Sequence, residues 1–331
     1  LEKFVCENWN AINTYIDQEQ SKLPQPLTSS VDVRESKYKF APVDHNMYPA
    51  GFNNLCNKDL LNCSTHFRKV FDKIKLGMNQ VAIIPESHTK NKFYLDHLYK
   101  LSDAVSMSES VVTLISPDPE LFADGSEVIE LESQSGHHLK IYKTQLVDGA
   151  FYVFQKPELK FDAIVLNNDQ SNPLPVEWKS VQTPVLPSPF VGWYRRQKIM
   201  HFEHYERVAN RFCEYFGINP DLIQAKFTSM DNLNFNTKEG LDQLADKVEE
   251  FFKSLHPEAN VFVKASQGTY GMGISVVSNA EEIRNMNRKV RNKMDVGKNN
   301  LKFTSVLIQE GVETILKYDD APAEVTIYLV N

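Results

Sequence analysis

The feature that most constrains this chain is a glycine-rich segment set between two runs of strand-forming residues. Val261, Phe262 and Val263 lead into KASQGTYGMG at 264–273, and ISVV at 274–277 follows as a second apolar, β-branched run. Two such runs joined by glycines predict an antiparallel hairpin. Glycines at 268, 271 and 273 let the backbone approach a ligand closely and aim N–H groups at anionic oxygens, and Lys264 adds a positive charge on the first strand. The segment is not a Walker loop, because no Gly-Lys-Ser/Thr opens a helix. It is not a dinucleotide fingerprint either, because the glycines join strand to strand. Tight turns need glycine for conformational reasons alone, so phosphate binding and a plain turn both stay open at this point.

The rest of the composition narrows the class. A chain of 331 residues with 42% hydrophobic content can bury one large core or two to three smaller ones. The formal charge of -7 is spread over both signs without a long basic run, so nucleic acid is not an expected partner. No stretch approaches the roughly 20 apolar residues of a membrane span, and the first residues lack a signal peptide's apolar region, so a cytoplasmic protein with no membrane partner is expected. Cys6, Cys56, Cys63 and Cys213 form no CxxC pair and no zinc spacing; reduced structural thiols are expected. The chain opens without Met and stops after VTIYLV at 325–330, which reads as a core strand, so further chain is expected in the natural protein.

Along the first half, residues 8–19 and 65–76 carry helical spacing, while VAII at 81–84, VVTLI at 111–115 and AIVL at 163–166 read as buried strands. Strands interleaved with helices predict an α/β fold with a mostly parallel sheet, whose ligands sit beyond the strand C-termini. The segments to watch are therefore 85–89, 116–118 and 167–169. Residues 172–189 are proline-rich without helical period and predict a linker between lobes, which divides the chain into an N-terminal α/β domain, 1–185, and a second region, 186–331. Helices are expected at 202–216, capped by Gly217, and at 237–255, starting at Thr237. Beyond the hairpin, a helix is expected over 280–294 and a strand over 303–309.

A second element strengthens the hairpin. SVLIQEGV at 305–312 predicts a strand ending in Gln309 and Glu310, an extended edge able to meet a purine base with backbone groups. A strand lysine, a glycine hairpin, a helix and a strand ending in such a hinge resemble, in order and spacing, the ATP-grasp fold. The resemblance implies that Lys264 touches the nucleotide phosphates and that Gly268, Thr269, Tyr270, Gly271 and Gly273 close over them. It further implies that Gln309, Glu310 and Val312 serve the adenine hinge and that Glu324 binds ribose, with Glu313 as a competitor for that role. Helical residues 200–256 and a hairpin lobe 257–331, incomplete at its C-terminus, would make up this region.

Five further segments carry a closer resemblance: KFAPVDHNMYPAGFNNL at 39–55, IPESHT at 84–89, GWYRRQK at 192–198, the hairpin 264–274 and NRKVRNKM at 287–294. Together they are similar to the proteobacterial ATP-grasp type of glutamate-cysteine ligase. That family's chemistry implies ATP and Mg²⁺ as cofactors and L-glutamate and L-cysteine as substrates. ATP phosphorylates the glutamate side-chain carboxylate, and the cysteine amine then displaces phosphate. Positioning and charge neutralisation carry such chemistry, so no protein nucleophile is required.

Arg195 and Arg196 beside Trp193 offer a guanidinium fork for substrate carboxylates, with Arg196 counted among the catalytic candidates with Lys264; solvated surface charge would look the same. Asp44, Asn46, Asn53 and Asn54, in an expected loop after a strand at 39–43, could receive the substrate ammonium or simply tie the loop. Glu86, His88 and Thr89 could line the same cleft. Arg288, Lys289, Arg291 and Lys293 could reach phosphate or form a solvated face. Metal ligands cannot be named from these residues. An ATP-grasp ligase for another carboxylate and amine, or a nucleotide-binding regulator without chemistry, remain alternatives.

Overall fold

A computed structural model of the chain describes residues 1–87, 89–266, 273–295 and 304–330. Its largest sheet has seven strands in the order Val128–Glu132, His138–Val147, Ser110–Ser116, Asn79–Ile84, Ala163–Leu166 and Val185–Leu186, with Ala150–Val153 paired to His138–Val147. Pairings through the middle of the sheet are parallel, and the two strands added beside His138–Val147 are antiparallel. Alternation along each strand feeds two cores. Val81, Ile83, Ala163 and Val165 pack under helices Asn57–Ile74 and Lys92–Ser106, against Phe67, Phe71, Leu98 and Leu101. Ala82, Ile84, Ile164 and Leu166 face the other way, onto Tyr48, Phe151, Leu174 and Trp178. Each valine, leucine, isoleucine or phenylalanine among them taken fully out of water contributes about 1.5–3 kcal/mol, which is why these short apolar runs are committed to the sheet interior.

A second sheet is antiparallel, in the order Phe227–Met230, Val306–Glu310, Val261–Ala265, Ile274–Val277. The hairpin expected around 261–277 is present at its two strands. Helix Lys238–Phe252 lays Leu241, Leu244, Val248 and Phe251 onto this sheet. Its start is fixed by Thr237, whose hydroxyl accepts the Gly240 N–H at 3.1 Å. Helix Lys198–Phe216 ends at Gly217, which takes the left-handed conformation with φ +66°.

The third sheet has three strands in the order Val325–Val330, Thr28–Glu35, Phe40–Asn46, all antiparallel. It joins residues from both sides of position 185. Several expectations are corrected here. Val325–Val330 is an edge strand, not a core strand, with Val325, Ile327 and Leu329 each 40% or more exposed. The proline-rich stretch is not only a linker, because Val185–Leu186 closes the parallel sheet beside Ala163–Leu166. The helix expected over 280–294 is two helices, Glu281–Arg284 and Arg288–Asp295. Asn287 breaks it, since its Oδ1 accepts the Val290 N–H at 3.0 Å and so caps the second helix instead of continuing the first.

Candidate active site

One face of the three-stranded sheet is the floor of a cavity of about 440 Å³. Two cross-strand rows make it. Thr326, Asp32 and Asp44 stand side by side in one row, and Tyr328, Ser30 and Asn46 in the next. Residues two apart on a strand share a face, so the pairs 30 and 32, 44 and 46, and 326 and 328 all point into the cavity. A register shift between Asp32 and Val33 ends this regular stretch. Gly51 takes φ +68° where the Tyr328 hydroxyl closes on it, so a side chain there would meet both left-handed strain and the phenol.

Helix Lys198–Phe216 contributes the only lysine lining the cavity among the described residues. Lys198 is 4% exposed, and its Nζ donates to both Asp44 oxygens at 2.6 and 2.7 Å while standing 4.9 Å over the Trp193 ring. Burial works to raise the Asp44 carboxyl, but the Lys198 and Lys264 charges overcome it and hold the group below the usual carboxylate range. Lys264 is 6% exposed and donates to the Val43 carbonyl, on the same strand as Asp44, and to Gln309 Oε1, both at 2.8 Å. Burial brings its ammonium down to about 8, with Asp44 opposing the shift.

The opposite wall comes from the strand C-termini, where ligands of a parallel sheet are expected. Glu86 Oε1 accepts the Asp169 N–H at 2.6 Å, and the Glu86 N–H donates to the Tyr94 hydroxyl at 2.7 Å. Tyr94 in turn donates to Asn167 Oδ1 at 2.6 Å, and Asn167 Nδ2 donates to the Pro49 carbonyl at 2.7 Å. His97 accepts the Phe52 N–H at Nδ1, 3.0 Å away. Complete burial brings the His97 imidazole down to about 4, so it is neutral at pH 7. Satisfied polar networks of this kind hold a cavity in one shape.

Asp44, Asn46, Asn53 and Glu86 line the cavity, and Asn54 hydrogen-bonds the Tyr328 hydroxyl at its rim. Asp44 and Asn46 belong to strand Phe40–Asn46, not to the expected loop. Thr89 lines an adjoining groove, which shares Asn91 and Tyr94 with the cavity. His88 lies outside the described residues, as do Gly268, Thr269, Tyr270 and Gly271. Gly273 is described, at φ +68°, with its carbonyl accepting the Ala265 N–H.

The expected guanidinium fork is not assembled. Arg195 is exposed, 5.7 Å over the Phe190 ring. Arg196 donates to the His45 carbonyl at 2.7 Å and stands 4.2 Å over Trp193. Lys198, which closes the GWYRRQK segment, takes the cavity position instead. Arg288 and Lys289 are exposed, and the Arg291 Nε is buried without a partner among the described residues.

The expected purine edge lies inside a sheet. Val306–Glu310 is an interior strand with a neighbour on each side, and the Glu310 N–H already donates to the Lys226 carbonyl at 2.8 Å. The Glu310 carboxylate accepts from Lys39 Nζ at 2.7 Å and from the Lys226 N–H at 2.9 Å. Val312 is buried against Ala41, Val43 and Ala225. Glu324 is paired with Arg34 at 2.8 Å, while Glu313 is exposed. Gln309 fits a nucleotide better than its neighbours: its Nε2 is buried without a partner among the described residues, next to the Lys264 ammonium. A buried donor in that state costs about 1–3 kcal/mol, which an anionic or carbonyl oxygen would recover. For a metal ion the described residues do not fit, since no three His, Cys, Asp or Glu side chains stand together.

Asp32, Tyr48, His97, Thr326 and Tyr328 escaped the sequence reading. Strands 28–35 and 325–330 carry no chemical motif, and only their pairing across the chain brings these residues together.

Comparisons with known proteins agree with this architecture. Residues 2–331 match the family model described as Glutamate-cysteine ligase. A solved structure described as "Putative gamma-glutamylcysteine synthetase" from Methylobacillus flagellatus is 34% identical, with a TM-score of 0.87, covering 100% of this chain and 78% of that one. D-alanyl-alanine synthetase A from Vibrio cholerae is 12% identical with a TM-score of 0.40, covering 71% of this chain and 59% of that one, a likeness too slight to build on. The comparison with curated proteins gave no significant match.

Proposed function

Because the chain belongs to the glutamate-cysteine ligase family, we propose that it joins the γ-carboxylate of L-glutamate to the amine of L-cysteine, using ATP and passing through an acyl phosphate. In this reading it is a cytoplasmic enzyme opening glutathione biosynthesis. Among the described residues no helix is long and apolar enough to cross a membrane.

The observation that carries the reading is the strand shared by two buried lysines. Lys264 donates to the Val43 carbonyl of strand Phe40–Asn46, and the adjacent Asp44 accepts from Lys198 in the cavity. A phosphate site at Lys264 and an amino-acid site at Lys198 are thereby fixed to one another by a single residue step, which is what phosphoryl transfer between two ligands requires.

When bound, ATP supplies the phosphoryl group that activates the carboxylate. Lys264, the glycine-rich segment 268–273 and the Gln309 amide would hold its phosphates in an ATP-grasp arrangement. Lys198 presents positive charge to a substrate carboxylate, and Asp44 fixes the direction of that ammonium. The Glu86, Tyr94, Asn167 and Asp169 network holds the far wall in one shape. Arg196 braces the floor through the His45 carbonyl. Mg²⁺ accompanies ATP in the family resemblance, but the described residues offer it no ligand set, and no role here depends on it.

Release of ADP and phosphate, measured with glutamate and cysteine together, with each alone and with other amino-acid pairs, tests the proposal. Turnover is expected only with the complete pair. Equal turnover with a different pair, or none with glutamate and cysteine, would remove it.

A further inference from the structure

The cavity floor carries an electrostatic imbalance that the roles above do not absorb. Asp32 and Asp44 are direct cross-strand neighbours, an arrangement in which like charges repel. Asp44 is neutralised by Lys198 at both oxygens. Asp32 takes one hydrogen bond, from the Thr326 hydroxyl at 2.8 Å, and forms no ion pair among the described residues. Burial raises its carboxyl above the usual range, and the nearby Glu324 and Asp44 charges add to that. Around the cavity, among the described residues, stand Asp32, Asp44, Glu86 and Asp169, with Lys198 the one lysine. An occupant suited to such a space brings a cation to the floor and a carboxylate to Lys198.

We propose that Asp32 binds the α-ammonium of the amino-acid substrate and that strand Val325–Val330, through Thr326, positions it for that task. This deepens the ligase reading and rests on it. Asp44 carries the same kind of group one strand away, but its carboxylate is committed to Lys198, so the ammonium falls to its neighbour. The hydroxyl of Thr326 fixes the Asp32 rotamer and leaves an oxygen for the ligand. An ammonium there also offsets the negative charge that Glu324 and Asp44 add beside Asp32. The next row, Tyr328, Ser30 and Asn46, offers hydroxyl and amide groups to the rest of the same ligand.

The test compares L-glutamate with glutarate, the same dicarboxylate without its ammonium, by calorimetric titration of the unaltered chain, Asp32→Asn and Thr326→Val. The unaltered chain is expected to prefer glutamate at least tenfold. Asp32→Asn, which keeps shape and volume, should bring the two affinities together by weakening glutamate and sparing glutarate. Thr326→Val should reduce the preference partway. Asp32→Asn retaining the full preference overturns the inference, and so does an equal loss of both ligands, which marks a structural role. If the unaltered chain binds neither compound, the amino-acid cavity itself is misassigned and the ligase reading of this site falls with it. Ligase turnover with an unchanged preference in Asp32→Asn removes the present inference alone.

Discussion

Replacing Lys264 by methionine separates what this residue does for the fold from what it does for a ligand. The side chain is 6% exposed, and burial lowers its ammonium from the ordinary 10.5 to about 8. That depression corresponds to about 3 kcal/mol of destabilisation while the group is charged. The sign follows from proton counting. At pH 7 both the folded and the unfolded chain hold the proton, so the penalty is complete. Between about 8 and 10.5 the unfolded chain keeps a proton that the folded chain has released, and stability rises with pH. Above that window the penalty is gone. Methionine keeps the aliphatic stem and carries no charge, so it has no such slope. The loss of the bonds to Val43 and Gln309 works against the variant by a similar amount at neutral pH. Urea denaturation of both proteins from pH 7 to 10.5 is the assay, with the variant subtracting every other titrating group. The unaltered chain should gain about 3 kcal/mol more across the range. ATP affinity at pH 7.5 should fall about 10- to 100-fold in Lys264→Met, as the loss of a charge-assisted contact implies. Parallel denaturation curves would refute the electrostatic account, and unchanged ATP affinity would refute the phosphate assignment.

Acid should weaken the fold through buried imidazoles. His97 is held at about 4, below its ordinary 6.5, so over that interval the unfolded chain binds a proton that the folded chain refuses, and stability falls as pH drops. The group accounts for about 3 kcal/mol, and His97→Gln should flatten the pH dependence of the urea midpoint by its share, with His201 still contributing. Thr237→Ala removes the hydroxyl that caps helix Lys238–Phe252 and should cost about 1 kcal/mol in urea denaturation without changing amino-acid binding at the distant cavity.

Local signals were legible wherever the chain's own neighbours decide the structure. The buried strand at 163–166, the hairpin strands, the Thr237 cap and the Gly217 stop all follow from a few adjacent residues. Helix Lys92–Ser106 was legible too and was missed: Asn91 accepts the Phe93 and Tyr94 N–H groups, and Leu95, Leu98 and Leu101 follow at helical spacing. Strand Thr28–Glu35 was not legible, because TSSVDVRE reads as polar coil until strands from two other parts of the chain flank it. The same non-locality governs the site. Asp44, Asn46, Asn53 and Glu86 are singled out by the words they sit in and their place after strands, whereas Asp32 and Thr326 acquire meaning only by standing opposite one another. For the arginines, residue type and neighbourhood are legible but contacts are not, since Trp193 and the His45 carbonyl take up Arg196.

The three-stranded sheet also bears on how this molecule reaches maturity. Asp32 and Thr326, bonded directly, are separated by 294 positions in sequence. Closing so large a loop carries an entropic toll that neighbouring contacts do not, and pairings of this span form late and slowly. The two larger sheets have cores of their own and can consolidate beforehand. Affinity for an amino acid should therefore emerge as one of the final events of refolding, lagging behind the recovery of secondary structure.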